Sequence, residues 1–157
     1  MSTSRSIIDV VYGVFADNNI SRILPVLDEK IVFRISAYGP ADGEYHGRSG
    51  FLTMMSSIYK RCENLSVNSL VYFMPDSDQP QDVLITTGVF AGKLLIDNEP
   101  AVFPFLHYWQ VKNDKVVELR AFNWDSASLF DRLQQNNKEP DHLANRHHSG
   151  NGNSPQS

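Results

Sequence analysis

Cysteine is almost absent from this sequence, because Cys62 is the only one among its 157 residues. A lone cysteine forms no internal disulfide, and neither a Cys-x-x-Cys pair nor a His-Glu-x-x-His motif offers ligands for zinc. The chain is therefore not a disulfide-stapled scaffold, and we expect no metal site. A reducing compartment suits such a chain, so we expect a cytoplasmic protein.

Positive charge is also scarce. Fourteen Lys and Arg oppose eighteen Asp and Glu, which leaves a net charge of −4, and the basic residues form no stripe. Binding to a phosphate backbone depends on clustered cations, so nucleic acid is not an expected partner.

Long apolar runs are missing as well. No run approaches the ~20 apolar residues that a membrane span requires, so we expect no membrane partner. The first apolar stretch, Ile7–Phe15, is interrupted by Asp9 and Tyr12, and a secretory signal is not expected there.

The composition that remains is that of a globular protein, with 41% hydrophobic and 20% charged residues. The length suits one domain, which we place at residues 1–135. From residue 136 to residue 157 the sequence turns to Asn, His, Ser, Gly and Pro, and this segment is predicted to be a disordered polar tail.

The first part of the domain is predicted to be helical. Apolar residues recur at helical spacing over Ile7–Phe15, behind a capping box formed by Ser6 and Asp9. A short second helical turn follows at Ile20–Leu27, where Pro25 prevents regular geometry.

The rest of the domain is predicted to be mainly strand. A strand at Ile31–Ile35 leads into a loop at Gly39–Gly47 and a third helix marked by Phe51–Tyr59. Four further strands and a closing helix follow, at Leu65–Met74, Val83–Ile96, Ala101–Lys112, Lys115–Trp124 and Ser126–Leu133. This order predicts an α+β fold, in which a curved antiparallel sheet wraps around the helices and leaves a cone with one open mouth.

Three motifs then carry a resemblance to a known family. They are Gly43-x-Tyr45-x-Gly47-Arg48 before the third helix, His107-Tyr108-Trp109-x-Val111-Lys112-Asn113-Asp114-Lys115-Val116, and Arg120-x-Phe122-Asn123-Trp124-Asp125. Over about residues 5 to 133 the chain resembles the SnoaL-like branch of the NTF2-like superfamily. The resemblance implies an NTF2-like cone. The superfamily includes ketosteroid isomerases, polyketide cyclases, epoxide hydrolases, dehydratases and proteins without known activity, so the fold does not fix the function.

Strand alternation predicts which side chains enter the cone, because neighbours in a strand point to opposite faces. In related proteins the residue matching His107 looks into the cavity. The inward set is then Phe105, His107, Trp109, Val111, Leu119, Ala121 and Asn123, and the outward set is Leu106, Tyr108, Gln110, Glu118, Arg120 and Phe122.

Three polar residues are candidates for catalysis. His107 is a candidate general acid or base, since an ordinary imidazole exchanges protons near ~pH 6.5, or else it is a hydrogen-bonded core histidine. The resemblance implies a catalytic aspartate at Asp125, which is otherwise the N-cap of the closing helix. Asn123 either holds an enolate oxygen or satisfies backbone groups at the end of the sheet.

A second set of residues is predicted to line the pocket and bind substrate. These candidates are Tyr12, Phe33, Ile35, Tyr38, Met55, Tyr59, Phe105 and Trp109. Ketosteroid isomerases resemble this chain in layout, but their general-base aspartate falls here at about Ile35 and their protonated acid at His107. A hydrocarbon removes no proton, so the paired-carboxylate chemistry of those isomerases is not expected.

These residues predict a cyclase or isomerase without a cofactor, acting on a hydrophobic oxygenated small molecule such as a polyketide intermediate. The alternative is a non-catalytic binding or dimerisation module, in which His107 is only a core residue. We also expect a homodimer through the outer sheet face, where Tyr108, Phe122 and Tyr72 would otherwise form an exposed aromatic patch.

Overall fold

A computed structural model describes residues 3–36, 43–76, 82–124 and 131–134. One six-stranded sheet has the strand order β2-β1-β6-β5-β4-β3. The elements in chain order are α1 (Ser4–Asp17), two 3-10 turns (Ile20–Arg22 and Leu24–Val26), β1 (Leu27–Ile35), β2 (Gly43–His46), α2 (Gly47–Tyr59), β3 (Cys62–Phe73), β4 (Val83–Leu94), β5 (Pro100–Lys112) and β6 (Lys115–Asn123).

Helix α1 begins earlier than the capping-box prediction places it. Thr3 is the N-cap, and its Oγ1 accepts a hydrogen bond from the backbone N–H of Ser6 at 3.1 Å. Asp9 accepts a hydrogen bond from the hydroxyl of Tyr72 instead of serving the helix end. The prediction of a cap at Ser6 is therefore wrong by one turn, because a threonine three residues earlier fills the same role.

The sheet is mixed, whereas the sequence predicts antiparallel pairing throughout. Strands β1 and β6 run parallel, with Phe33 opposite Leu119 and Ile35 opposite Ala121. Parallel neighbours need a long crossover connection, and α2 with strands β3 to β5 supplies it between these two strands. The other strand pairs are antiparallel.

The predicted loop at Gly39–Gly47 also contains a strand, because β2 pairs with β1 along its edge. Gly47, the first residue of α2, has a φ of 69°, and a Cβ there would lie 3.1 Å from the carbonyl oxygen of Glu29. Arg48 follows at once, and its Nε and Nη2 donate to the carbonyl oxygen of Leu27 at 3.1 and 3.0 Å. The Gly-Arg pair thus joins the start of α2 to the start of β1.

Strand alternation is confirmed in the middle of the sheet. In β5 the side chains of Phe105, His107, Trp109 and Val111 are buried, and the intervening Leu106 is exposed. In β6 the side chains also alternate, because Leu119 and Ala121 are buried while Arg120 and Phe122 are exposed.

Tyr72 lies on the other face from the one predicted. It packs against the core beside α1, and Arg5 lies over its ring at 4.7 Å. The pairing of β3 with β4 shifts register between Asn68 and Val71, and Ser69 has a positive φ of 55°. A bulge of this kind adds one residue and reverses the faces beyond it.

The closing segment is described only at residues 131–134, which are helical. Arg132 donates to the carboxylate of Asp97 from Nε at 2.9 Å and from Nη2 at 3.1 Å, and so fixes this segment to the turn between β4 and β5. The start of the predicted helix at Ser126 and the predicted tail lie outside the described residues. Among the helices described, none is long and apolar enough to cross a membrane.

Candidate functional site

A cavity of about 90 Å³ lies between the inner face of the sheet and helices α1 and α2. Its lining comes from α1, α2, β1 and strands β3 to β6, and none of the lining side chains in the described part of the chain is an Asp, Glu, Lys or Arg. The polar exceptions in an otherwise apolar wall are Tyr12, His107, Trp109 and Asn123. Such a wall suits an uncharged organic molecule held by a few placed hydrogen bonds.

Four of the buried side chains are joined by hydrogen bonds. The indole Nε1 of Trp109 donates to Thr86 Oγ1 at 2.9 Å, and Thr86 Oγ1 lies 2.7 Å from the hydroxyl of Tyr12. The same Tyr12 hydroxyl lies 2.5 Å from Nδ1 of His107. We call Trp109, Thr86, Tyr12 and His107 the buried hydrogen-bond chain.

Secondary structure explains why these four groups meet. Thr86 in β4 stands directly opposite His107 in β5, and Trp109 is on the same face of β5 as His107. Tyr12 comes from α1, which packs across that face. Two neighbouring strands and one helix therefore place the chain at the inner wall.

Burial keeps both titratable members of the chain uncharged. Desolvation lowers the pKa of His107 from 6.5 to about 3, so the imidazole is neutral at physiological pH. Burial also raises the pKa of Tyr12 well above its ordinary value, against the opposing hydrogen bonds from Thr86 and Trp109. A neutral imidazole of this kind binds and orients an oxygen. The role of general acid or base near neutral pH needs a higher pKa.

Asn123 lies at the end of β6, opposite Phe105, and its side chain lines the cavity. Its backbone N–H donates to Ser36 Oγ at 3.2 Å, which fixes the end of the strand against β1. His107 stands opposite Ala121, two residues before Asn123 on the same face. Diagonal neighbours of this kind have Cα atoms about 7 to 8 Å apart, so one small ligand can reach both side chains.

The predicted pocket residues fall into three groups. Tyr12, Phe33, Ile35, Met55 and Trp109 line the cavity. Phe105 and Tyr59 are not among the lining residues. Phe105 is buried and stacks on His107, and Tyr59 is half-buried against the core. Tyr38 and Asp125 lie outside the described residues.

Sequence reasoning missed Thr86, which is fully buried and central to the buried hydrogen-bond chain. A threonine in a β-strand carries no distinguishing signal, because β-branched residues are common there. Within the described residues there is also no group of three or more His, Cys, Asp or Glu that could hold a metal ion.

Neither a known family model nor a curated protein matches this sequence. Solved structures do match. A candidate polyketide cyclase from Pseudomonas putida KT2440 has a TM-score of 0.71 at 12% identity, over 84% of this chain and 98% of that one. TerC, co-crystallised with polyporic acid, has a TM-score of 0.71 at 15% identity, over 85% of this chain and 100% of that one.

A third match is an NTF2-like protein of unknown function from Burkholderia pseudomallei K96243. It has a TM-score of 0.69 at 14% identity, over 85% of this chain and 98% of that one. Identities this low establish the fold alone. Together with the cavity and the strand order described above, they show that this chain has an NTF2-like fold.

Proposed function

We propose that this protein is a cofactor-independent cyclase or isomerase that removes a proton next to a carbonyl group in a small, uncharged, hydrophobic molecule. The observation that carries the proposal is the apolar cavity with His107 in its wall and no charged side chain among the described residues that line it. Structural neighbours that include candidate polyketide cyclases support the same class of chemistry.

The roles we propose rest on the resemblance for Asp125 and on the cavity lining for His107 and Asn123. Asp125, two residues after the end of β6 in the sequence, takes the proton from the carbon beside the carbonyl. The electron pair of the broken C–H bond moves onto the carbonyl oxygen, and His107 and Asn123 stabilise that oxygen by hydrogen bonds as its charge grows. In an isomerisation the proton then returns from Asp125 to another carbon. In a cyclisation the enolate carbon forms a bond to the carbon of a second carbonyl, the π electrons of that carbonyl move to its oxygen, and this oxygen takes the proton back from Asp125.

The lining supports an uncharged substrate. A carboxylate or a phosphate in this cavity would leave water for an apolar wall without a cationic partner among the described residues. The volume of about 90 Å³ favours a compact molecule over the drug-sized ligands that occupy pockets of about 300 Å³ or more.

The test uses probe ketones and needs no knowledge of the natural substrate. Phenylacetone and 2-tetralone are incubated with the protein in D₂O, and deuterium uptake at the carbon beside the carbonyl is followed by NMR. We expect uptake faster than in buffer alone. In Ala121→Leu the larger side chain fills the cavity opposite His107 and should abolish the effect, whereas Val102→Leu on the exposed outer face should retain it.

A second function remains for the same cavity, namely binding without catalysis. It is favoured by the neutral state of His107 and by the absence of a carboxylate among the described lining residues. Probe ketones that bind to the wild type and not to Ala121→Leu, with no deuterium uptake in either, would support this second function and contradict the first.

We also propose that the protein works as a cytoplasmic homodimer. The thiol of Cys62 is buried, and burial raises its pKa to about 11, as suits a cysteine that stays reduced and unreactive. Leu106 and Phe122 are exposed cross-strand neighbours on the outer face of the sheet, and a second copy would cover them.

A further inference from the structure

The direction of each hydrogen bond in the buried hydrogen-bond chain follows from the chemistry of its members. The indole N–H of Trp109 can only donate, so Thr86 Oγ1 accepts at that contact. Among the described residues the only other hydrogen-bond partner of the Thr86 hydroxyl is the Tyr12 oxygen, which therefore receives the Thr86 proton. The Tyr12 proton is then directed to Nδ1 of His107.

The opposite direction leaves a proton without a partner. If Nδ1 of His107 donated to Tyr12, the Tyr12 proton would go to Thr86, and the Thr86 hydroxyl would have no acceptor among the described residues. Thr86 is fully buried, and a buried hydroxyl proton without a partner is unfavourable. The chain therefore runs from Trp109 to His107.

We infer that Tyr12 is a positioning residue, which holds His107 in the tautomer with its proton on Nε2 and so presents a hydrogen-bond donor to an oxygen of the substrate. Nε2 is the ring nitrogen with no hydrogen-bond partner among the described residues, and His107 lines the cavity. The Tyr12 hydroxyl is bonded to Thr86 and His107, so it acts through the imidazole and not directly on a ligand.

This inference rests on the proposed function for the identity of the acceptor, a carbonyl oxygen. The other tautomer would present a bare nitrogen to the cavity, which repels a carbonyl oxygen and accepts a hydroxyl proton. Tyr12 therefore decides whether the imidazole donates a hydrogen bond to a carbonyl oxygen or accepts one from a hydroxyl group.

The test is the ¹⁵N spectrum of the His107 ring at neutral pH, in the full chain without any ligand. We expect one tautomer in the wild type, with Nε2 protonated and Nδ1 bare. A protonated Nδ1 would overturn the inference. This measurement decides the tautomer even where a variant fails to fold.

Variants then test whether Tyr12 fixes the tautomer of His107. In Tyr12→Phe no hydroxyl donates to Nδ1, so both tautomers become populated. We expect a second set of ring signals, or ¹⁵N chemical shifts of Nδ1 and Nε2 that move towards each other. Thr86→Ser keeps the hydroxyl, and Tyr45→Phe removes a half-buried tyrosine hydroxyl that makes no bond to His107. Both should give the wild-type spectrum, and a folded Tyr12→Phe with the wild-type spectrum would contradict the positioning role.

The tautomer measurement and the deuterium-uptake test can fail independently of each other. Absence of deuterium uptake would remove the catalytic proposal and leave the tautomer as measured. The wrong tautomer would remove the inference even in a protein that catalyses exchange.

Discussion

The ring of Phe105 stacks on the imidazole of His107, with centroids 4.1 Å apart and planes inclined by 22°. Phe105 in turn crosses the backbone of β4 at Gly88, where an added Cβ would lie 2.6 Å from the Phe105 Cζ atom. The glycine in β4 thus leaves the space in which Phe105 lies flat. The orientation of His107 depends on this space as well as on its bond to Tyr12.

We predict that Gly88→Ala lowers the free energy of unfolding by about 1 to 3 kcal/mol, because the new methyl group displaces the Phe105 ring from a packed core. Gly13→Ala in α1 is the control, since among the described residues nothing beyond its chain neighbours and the backbone of its own helix lies within 4 Å of the added Cβ. There the change should stabilise the helix by about 0.5 to 1 kcal/mol. Urea unfolding measures both, and equal effects would show that the contact at Gly88 is unimportant.

Replacements of His107 test whether its imidazole acts as a neutral hydrogen-bond donor or as a group that gains and loses a proton. In His107→Gln the amide oxygen can accept from Tyr12 and the amide N–H can point into the cavity. His107→Leu leaves the Tyr12 proton unpaired, which should cost about 1 to 3 kcal/mol of stability. We expect deuterium uptake to survive in part in the Gln variant and to be lost in the Leu variant, and equal loss in both would contradict a neutral donor.

The low pKa of His107 also predicts how stability depends on pH. The unfolded chain takes up a proton near the ordinary value of 6.5, while the folded chain does so only at about 3. The unfolded state therefore binds more protons between these values, and stability falls as the pH is lowered below about 6.5, by up to about 1.4 kcal/mol per pH unit. His107→Gln should remove this slope.

The measurement is urea unfolding between about pH 7 and about pH 5, a range in which ordinary carboxylates titrate little. A wild-type slope equal to that of His107→Gln would show that His107 gains its proton as easily in the folded protein as in the unfolded chain.

The proposed dimer predicts a particle of twice the chain mass in light scattering at micromolar concentration. Phe122→Glu places a charge on the exposed outer face beside Leu106 and should yield a monomer. Leu52→Glu changes an exposed leucine of α2 and should leave the dimer intact. A monomeric wild type would end this proposal.

Much of the fold could be predicted from the sequence. Strand alternation puts His107 and Trp109 on one face of their strand, and the resemblance implies that this face points inward together with Ala121. Local pattern does not reveal pairing, so the parallel contact of β1 with β6 and the position of Thr86 opposite His107 needed the three-dimensional register. The prediction that Tyr72 lies on the outer face of the sheet is wrong because the bulge near Ser69 reverses which side chains of β3 point inward.

The sequence identifies residues of the candidate site, but it does not predict their protonation states. The sequence singles out His107 for its ordinary pKa, but that value holds for water, and burial among Phe105, Tyr12 and Trp109 changes it. Burial of one side chain depends on elements far apart in the chain, here α1 and strands β4 and β5. No window of sequence contains that information.

The central claim is that the carboxylate of Asp125 removes a proton next to a carbonyl group of the substrate, and Asp125→Asn tests it most directly. The change keeps the size and the capping capacity of the side chain and removes its basicity. The account predicts that deuterium uptake by phenylacetone falls about 100-fold or more while the melting temperature stays that of the wild type. Unchanged uptake, or uptake that falls only in proportion to a lower melting temperature, would contradict it.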